Sequence, residues 1–178
     1  MTLPNTLTLL RLGLIPPFYI LSSIKGGEMW GAVLFLLAAL TDPLDGYFAR
    51  KLNQVTDVGK ILDTLVDKLL LTAGLLILLE GRIVPHWSVL VILSREFIVM
   101  GLRALLANRG VIVPAHTMGK YKFTFQMIAV CTFLFFPMAL LGNHWLRMGA
   151  YGIYYVALVM TVVSGLDYMV KFYKEVEW

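Results

Sequence analysis

The feature that most limits the fold of this chain is a series of six long apolar stretches, separated by short breaks of polar residues, glycine and proline. A helix that spans the hydrocarbon core of a membrane needs about 20 mostly apolar residues, and each stretch reaches about that length. The chain is 59% hydrophobic and 15% charged, whereas soluble domains are about 45–50% apolar and about 25% charged. We therefore predict an all-α integral membrane bundle of six transmembrane helices, forming a single domain over residues 1–178, with spans at about 5–24, 28–50, 59–80, 85–106, 120–141 and 147–171.

The lysines and arginines predict how this bundle is oriented, because cytoplasmic loops of membrane proteins carry an excess of both. Six spans put both termini on one side, and that side carries most of the basic residues; the other side has only Lys25, Arg82 and Arg147. Both termini are therefore expected in the cytoplasm, with the protein in the cell (inner) membrane. The net charge of +4 is modest and does not indicate nucleic-acid binding.

Four aspartates lie inside the second and third apolar stretches, where an isolated carboxylate is unfavourable. Asp42 and Asp45 are three residues apart, and Asp63 and Asp67 are four apart, so each pair shares one face of a helix. The short connection between the two helices favours antiparallel packing, which brings the four carboxylates together near the cytoplasmic surface. Because such close charges repel one another, we predict bound divalent cations, and carboxylate oxygens are ligands that magnesium, calcium and manganese accept.

Small residues and one arginine accompany these aspartates. Gly46, Ala49 and Gly59 allow a ligand to approach the backbone closely, and Arg50 offers a planar fork suited to phosphate oxygens. The combination indicates a site for a nucleotide diphosphate. The alternative from a different functional class is a small cation transporter, because carboxylates in membrane helices also line ion pathways.

The spacing D-x2-D-G-x2-A-R-x8-G-x3-D-x3-D, present as DPLDGYFAR followed by GKILDTLVD, resembles the signature of the CDP-alcohol phosphotransferase family. The resemblance covers essentially the whole chain. It implies that Asp42, Asp45 and Asp63 are metal ligands, and that Asp67 is both a ligand of a second metal ion and the catalytic base. The implied cofactor is Mg2+, with two ions at the site and Mn2+ as the alternative.

The same resemblance implies a binding site for a CDP-activated lipid and a direct displacement that releases CMP. In the first helix, PNTLTLLR is similar to the N-x-x-T opening of family members. For Asn5 and Thr8 in that segment, helix capping is the alternative. The implied CDP-lipid contacts are Asn5, Thr8, Gly46, Ala49, Arg50, Thr56 and Gly59.

The fourth and fifth stretches bear on the alcohol that accepts the lipid. SREFIVMGLR and GKYKFTFQ resemble segments of the phosphatidylglycerophosphate synthase branch, which transfers a phosphatidyl group from CDP-diacylglycerol to sn-glycerol 3-phosphate. Two positions depart from the branch pattern, since Phe123 replaces a usual threonine and Thr64 a usual proline. The residues implied to bind the phosphate of the acceptor are Arg95, Arg103, Lys120 and Lys122.

Other interpretations of these charges remain open at this stage. For Arg95 the alternative is an ion pair with Glu96. For Arg103 it is a side chain that extends to the membrane interface, and for Lys122 it is an anchor that follows the positive-inside rule. Within the family, the alternative reactions are cardiolipin, phosphatidylinositol phosphate and phosphatidylserine synthesis. Resemblance to the family also implies a homodimer embedded in membrane lipid.

Overall fold

The computed structural model of the chain describes residues 3–51, 57–108, 117–136 and 142–175. These residues form six α-helices and no β-strand, which confirms the all-α prediction and the order of the elements. The helices are α1 (Leu3–Ser23), α2 (Glu28–Lys51), α3 (Asp57–Glu80), α4 (His86–Asn108), α5 (Thr117–Phe135) and α6 (His144–Glu175).

The ends of the helices follow from local residues. Gly26, between α1 and α2, has a φ of 86°, a conformation that glycine adopts without a steric penalty. The helix α5 ends at Phe135, before the predicted position 141, because Pro137 disfavours a helical conformation at the residue that precedes it. The helix α6 begins earlier than predicted, at His144, where the Asn143 side chain accepts a hydrogen bond from the Trp145 backbone N–H at 3.0 Å.

Two of the helices are long and apolar enough to cross a membrane, over Asn5–Ser23 and His144–Lys174. This finding rests on length and composition within the described residues. It is compatible with the predicted membrane bundle.

The chain divides into two compact units. The first, here called the α1–α3 unit, comprises Met1–Ile83 and Val130–Leu140. In it α1 packs against α2 and α3, and α2 packs against α3. The buried rings of Phe18 and Phe35 lie 5.1 Å apart. Gly74 is needed for this packing, because a Cβ atom there would lie 2.6 Å from a methyl carbon of Val130 and 2.8 Å from the Phe35 ring.

The second, here called the α4–α6 unit, comprises Val84–Ala129 and Leu141–Trp178. In it α4 packs against α6. Near the start of α4, the hydroxyl groups of Ser88 and Tyr154 form a buried hydrogen bond of 2.7 Å. Further along, polar side chains of α4, α5 and α6 meet inside the unit and form the interactions described below.

Candidate active site

The two aspartates of α3 meet a single arginine of α1. The Nη1 atom of Arg11 donates to Oδ1 of Asp63 at 3.1 Å and to Oδ1 of Asp67 at 2.6 Å. The Arg11 side chain is fully buried, whereas those of Asp63 and Asp67 remain 38% and 21% exposed. The shared cation therefore holds both carboxylates on one side of α3 while leaving part of each accessible to a ligand.

The same arginine also reaches α2. The hydroxyl of Thr41 donates its one hydrogen to the carbonyl oxygen of Ala38 at 2.7 Å, so it accepts the hydrogen bond from Nε of Arg11 at 3.2 Å. Thr41 immediately precedes Asp42 in the chain. Arg11 thus links α1, α3 and the start of the acidic segment of α2.

Several predicted residues of this site lie outside the part of the chain whose side chains the structure describes. Asp42 and Asp45 lie on α2, but their side chains are outside the part of the chain that the structure describes, as are those of the predicted CDP-lipid residues Gly46, Ala49 and Arg50. Thr56 lies outside the described residues altogether.

The remaining predicted CDP-lipid residues lie on α1 and α3. Thr8 is buried one turn before Arg11, and Asn5 is half-buried one turn earlier still. Gly59 precedes Asp63 by one turn of α3. Thr8 therefore lies one turn from Arg11, and Gly59 lies one turn from Asp63, one of the two carboxylates that Arg11 binds.

Arg11 was missed by the sequence interpretation, which counted it only as a basic residue on the cytoplasmic side. A signal was available, because an arginine within an apolar helix normally faces a partner or a cavity. Its partners are 52 and 56 residues away along the chain, and local spacing cannot identify such distant pairs.

The donor chemistry at this site fits a divalent cation. Asp63 and Asp67 present carboxylate oxygens, the hard ligands that Mg2+ prefers. Both carboxylates pair with the guanidinium group of Arg11 and therefore lie close together. Within the described ranges no group of three or more His, Cys, Asp or Glu side chains could hold a metal ion. The other two predicted ligands, Asp42 and Asp45, are not among the side chains that those ranges describe.

A second charged cluster lies in the α4–α6 unit. Nζ of Lys122 on α5 donates to Oε1 of Glu96 on α4, and Nη1 of Arg95 donates to the same oxygen at 3.2 Å. Glu96 and Lys122 are both buried. The alternative in which Arg95 pairs with Glu96 is therefore confirmed, and Lys122 is a buried partner of that carboxylate rather than an exposed anchor.

The two remaining residues predicted to bind the acceptor phosphate are Arg103 and Lys120. The guanidinium carbon of Arg103 lies 5.4 Å from the centre of the Tyr168 ring, a distance that permits a cation–π interaction, and the Arg103 side chain is exposed. Lys120 lies on α5, with its side chain outside the described part.

Polar residues of α6 complete this cluster, and the sequence interpretation did not identify them. Nη2 of Arg95 donates to the hydroxyl of Ser164 at 3.2 Å, and Nε2 of Gln126 donates to the hydroxyl of Thr161 at 2.8 Å. Thr161, Ser164 and Tyr168 are spaced i, i+3 and i+7 and so share one face of α6. That polar stripe on an apolar helix was the available signal.

Comparison with known proteins identifies relatives over nearly the whole length of the chain. The profile of the CDP-alcohol phosphatidyltransferase family matches residues 1–166. The chain is 43% identical to the CDP-diacylglycerol--glycerol-3-phosphate 3-phosphatidyltransferase of Bacillus subtilis, over 95% of this chain and 94% of that protein. It is 40% identical to the protein of the same name from Rickettsia bellii, over 93% and 92%. A probable phosphatidylglycerophosphate synthase of Mycobacterium tuberculosis is 34% identical, over 98% and 83%.

Proposed function

Since the chain belongs to the CDP-alcohol phosphatidyltransferase family, as its signature led us to expect, we infer that it is a phosphatidylglycerophosphate synthase. It transfers the phosphatidyl group of CDP-diacylglycerol to sn-glycerol 3-phosphate and releases CMP. The observation that carries this assignment is the match to relatives named for this reaction, which extends over both compact units. The whole chain, residues 1–178, then acts as one catalytic domain.

Four aspartates hold the metal in this proposal: Asp42, Asp45, Asp63 and Asp67. Support comes from α3, where two partly exposed carboxylates converge on one buried cation. Two Mg2+ ions, or Mn2+ in their place, would neutralise the diphosphate of the CDP-lipid and stabilise the leaving CMP. Arg11 keeps the two α3 carboxylates on one side of the helix, where both can serve as ligands.

Asp67 is the proposed catalytic base. Its carboxylate accepts a hydrogen bond of 2.6 Å from Arg11, which fixes its position for taking a proton from the acceptor hydroxyl. The acceptor oxygen then forms its bond to the lipid phosphorus as the bond to CMP breaks, without a covalent enzyme intermediate. The residues proposed to contact the CDP-lipid are Asn5, Thr8, Gly46, Ala49, Arg50, Thr56 and Gly59.

The acceptor phosphate is assigned to the basic residues of α4 and α5. Arg95 and Lys122 share one carboxylate, that of Glu96, so two basic side chains converge at this point. A phosphate monoester supplies the complementary negative charge. The proposed contacts are Arg95, Arg103, Lys120 and Lys122.

The proposed setting is the cell membrane. The lengths of α1 and α6, the apolar character of the other four helices and the bias of basic residues support six spans with both termini in the cytoplasm. The active site then faces the cytoplasm, where a water-soluble acceptor is available. A homodimer in membrane lipid is the proposed assembly.

An acceptor panel tests the assignment. The purified protein is supplied with CDP-diacylglycerol, Mg2+ and one acceptor at a time: sn-glycerol 3-phosphate, phosphatidylglycerol, inositol phosphate or serine. We expect CMP release with sn-glycerol 3-phosphate and its loss when the metal is chelated. CMP release with another acceptor and none with sn-glycerol 3-phosphate would contradict the assignment.

A further inference from the structure

Three buried polar atoms in the α4–α6 unit have no hydrogen-bond partner among the residues that the structure describes. They are Nε of Arg95, Oε1 of Gln126 and the hydroxyl oxygen of Tyr168. Gln126 and Tyr168 are only 3% and 7% exposed, so bulk water cannot readily replace a missing partner. A buried polar atom left unpaired costs about 1–3 kcal/mol, and three in one unit indicate a ligand that pairs with them.

The hydrogen bonds around these atoms determine which can donate and which can accept. The hydroxyl of Thr161 donates its one hydrogen to the carbonyl oxygen of Ala157 at 2.6 Å. It can therefore only accept from Gln126, whose NH2 group must face it. This leaves Oε1 of Gln126 as an unpaired acceptor.

The same argument applies to Ser164. Its hydroxyl donates to the carbonyl oxygen of Thr161 at 3.2 Å and accepts from Nη2 of Arg95 at 3.2 Å. The Nε–H of Arg95 remains as an unpaired donor, and the Tyr168 hydroxyl can donate as well. The unit therefore offers two donors and one amide acceptor.

These three groups lie along one polar face of α6. Thr161, Ser164 and Tyr168 span seven residues of that helix, or about 10 Å at 1.5 Å per residue. Gln126 joins the face at Thr161 and Arg95 joins it at Ser164. A phosphate that carries a neighbouring free hydroxyl matches this set, because its oxygens can accept from Arg95 and Tyr168 while the hydroxyl donates to Gln126.

We propose that Gln126 is a specificity-determining residue that accepts a hydrogen bond from the non-reacting hydroxyl of a polyol phosphate acceptor, while Arg95 and Tyr168 donate to its phosphate. This inference rests on the proposed function, because it names how the same acceptor is recognised. In sn-glycerol 3-phosphate the terminal hydroxyl reacts, and the hydroxyl on the middle carbon is the one available to Gln126. An acceptor without that hydroxyl leaves the amide oxygen unpaired, which is how a buried polar group rejects an analogue.

The test compares two acceptors, sn-glycerol 3-phosphate and 3-hydroxypropyl phosphate, which lacks only the middle hydroxyl. With CDP-diacylglycerol as lipid donor, the wild-type kcat/KM should favour sn-glycerol 3-phosphate by roughly 10- to 100-fold, as expected for one buried hydrogen bond. In Gln126→Met this preference should fall to within about threefold, through a lower kcat/KM for sn-glycerol 3-phosphate alone.

A further variant keeps the test decisive. Ser88→Ala removes a buried hydrogen bond of the same unit outside the polar face, and should leave the preference unchanged even if stability falls.

The results that would overturn the inference differ from those that would overturn the proposed function. Equal use of both acceptors by the wild type, or an equal loss for both in Gln126→Met, leaves the function intact and removes the role of Gln126. Absence of turnover with sn-glycerol 3-phosphate alongside turnover of another alcohol overturns both.

Discussion

The two charged clusters of this chain are built alike but with opposite signs. In the α1–α3 unit one buried arginine, Arg11, is shared by two carboxylates. In the α4–α6 unit one buried carboxylate, Glu96, is shared by Arg95 and Lys122. The first cluster therefore places two carboxylates on one cation, and the second places two cations on one carboxylate.

This difference matches the ligands proposed for each cluster. A buried ion pair contributes little net stability, because the loss of hydration offsets the attraction between the charges. The proposed ligands are divalent cations for the first cluster and the acceptor phosphate for the second, as the proposed reaction between a CDP-lipid and a phosphorylated alcohol requires.

The largest effect is expected for Asp67→Asn. Loss of the proposed base should lower CMP release by about 1,000-fold or more, whereas binding of CDP-diacylglycerol should persist because three of the predicted metal ligands remain. Asp167→Asn is the matched control, since Asp167 forms a partly exposed pair with Lys171 at 2.7 Å and such pairs contribute little. Normal turnover by Asp67→Asn would remove it from the role of base.

Glu96→Gln should have the next largest effect. It leaves Lys122 and Arg95 without the carboxylate they share, and breaking a buried pair in this way costs about 3–5 kcal/mol. Unfolding monitored in detergent should show a loss of this size. The double variant Glu96→Gln with Lys122→Met should recover part of it, because it also removes one of the two cations that had paired with the carboxylate. Equal stability of Glu96→Gln and wild type would contradict the buried network.

Arg11→Met should distinguish the two clusters, because Mg2+ is expected to stabilise a variant of the first cluster and not a variant of the second. The variant leaves Asp63 and Asp67 without their shared cation and should lose about 3 kcal/mol in the presence of a chelator. Mg2+ should restore more stability to this variant than to wild type, because it supplies the missing positive charge. Mg2+ should not restore Glu96→Gln, and Arg11→Lys should be intermediate. Equal stabilisation of wild type and Arg11→Met by Mg2+ would show that Arg11 is unrelated to the metal ligands.

Gly165→Ala should give the smallest effect and should affect only the acceptor. A Cβ atom at Gly165 would lie 2.8 Å from Cγ of Arg95, so the arginine must shift. We expect the KM for sn-glycerol 3-phosphate to rise about threefold to tenfold, with the KM for CDP-diacylglycerol unchanged. Gly152→Ala on the same helix is the control, because a Cβ there meets no described atom within 4 Å. A rise in both constants would argue for a general distortion.

Much of the fold was predictable because helices are encoded locally. The apolar stretches and their breaks placed six helices in the correct order, and errors were confined to the ends, as at Phe135 and His144. Spacing also predicted that Asp63 and Asp67 share one face of α3. Both properties depend on neighbours within a few turns.

The contacts between helices were harder to predict, since they depend on which faces pack together. Arg11 finds its carboxylates through the packing of α1 against α3, and its role was not identified. The partners of Lys122 and Gln126 were similarly hidden, because they lie 26 and 35 residues away. Glycines and charges indicated that a site exists, but the pairing of its side chains depends on the tertiary structure.

The most direct test of the division between the clusters is to measure both Michaelis constants in Arg103→Ala. Arg103 is an exposed arginine of the α4–α6 unit and is not part of the Glu96 ion pairs described above. If this unit binds the acceptor, the KM for sn-glycerol 3-phosphate should rise about tenfold while that for CDP-diacylglycerol stays within about twofold. A rise confined to CDP-diacylglycerol, or an equal rise in both constants, would contradict the assignment of the positive cluster to the acceptor.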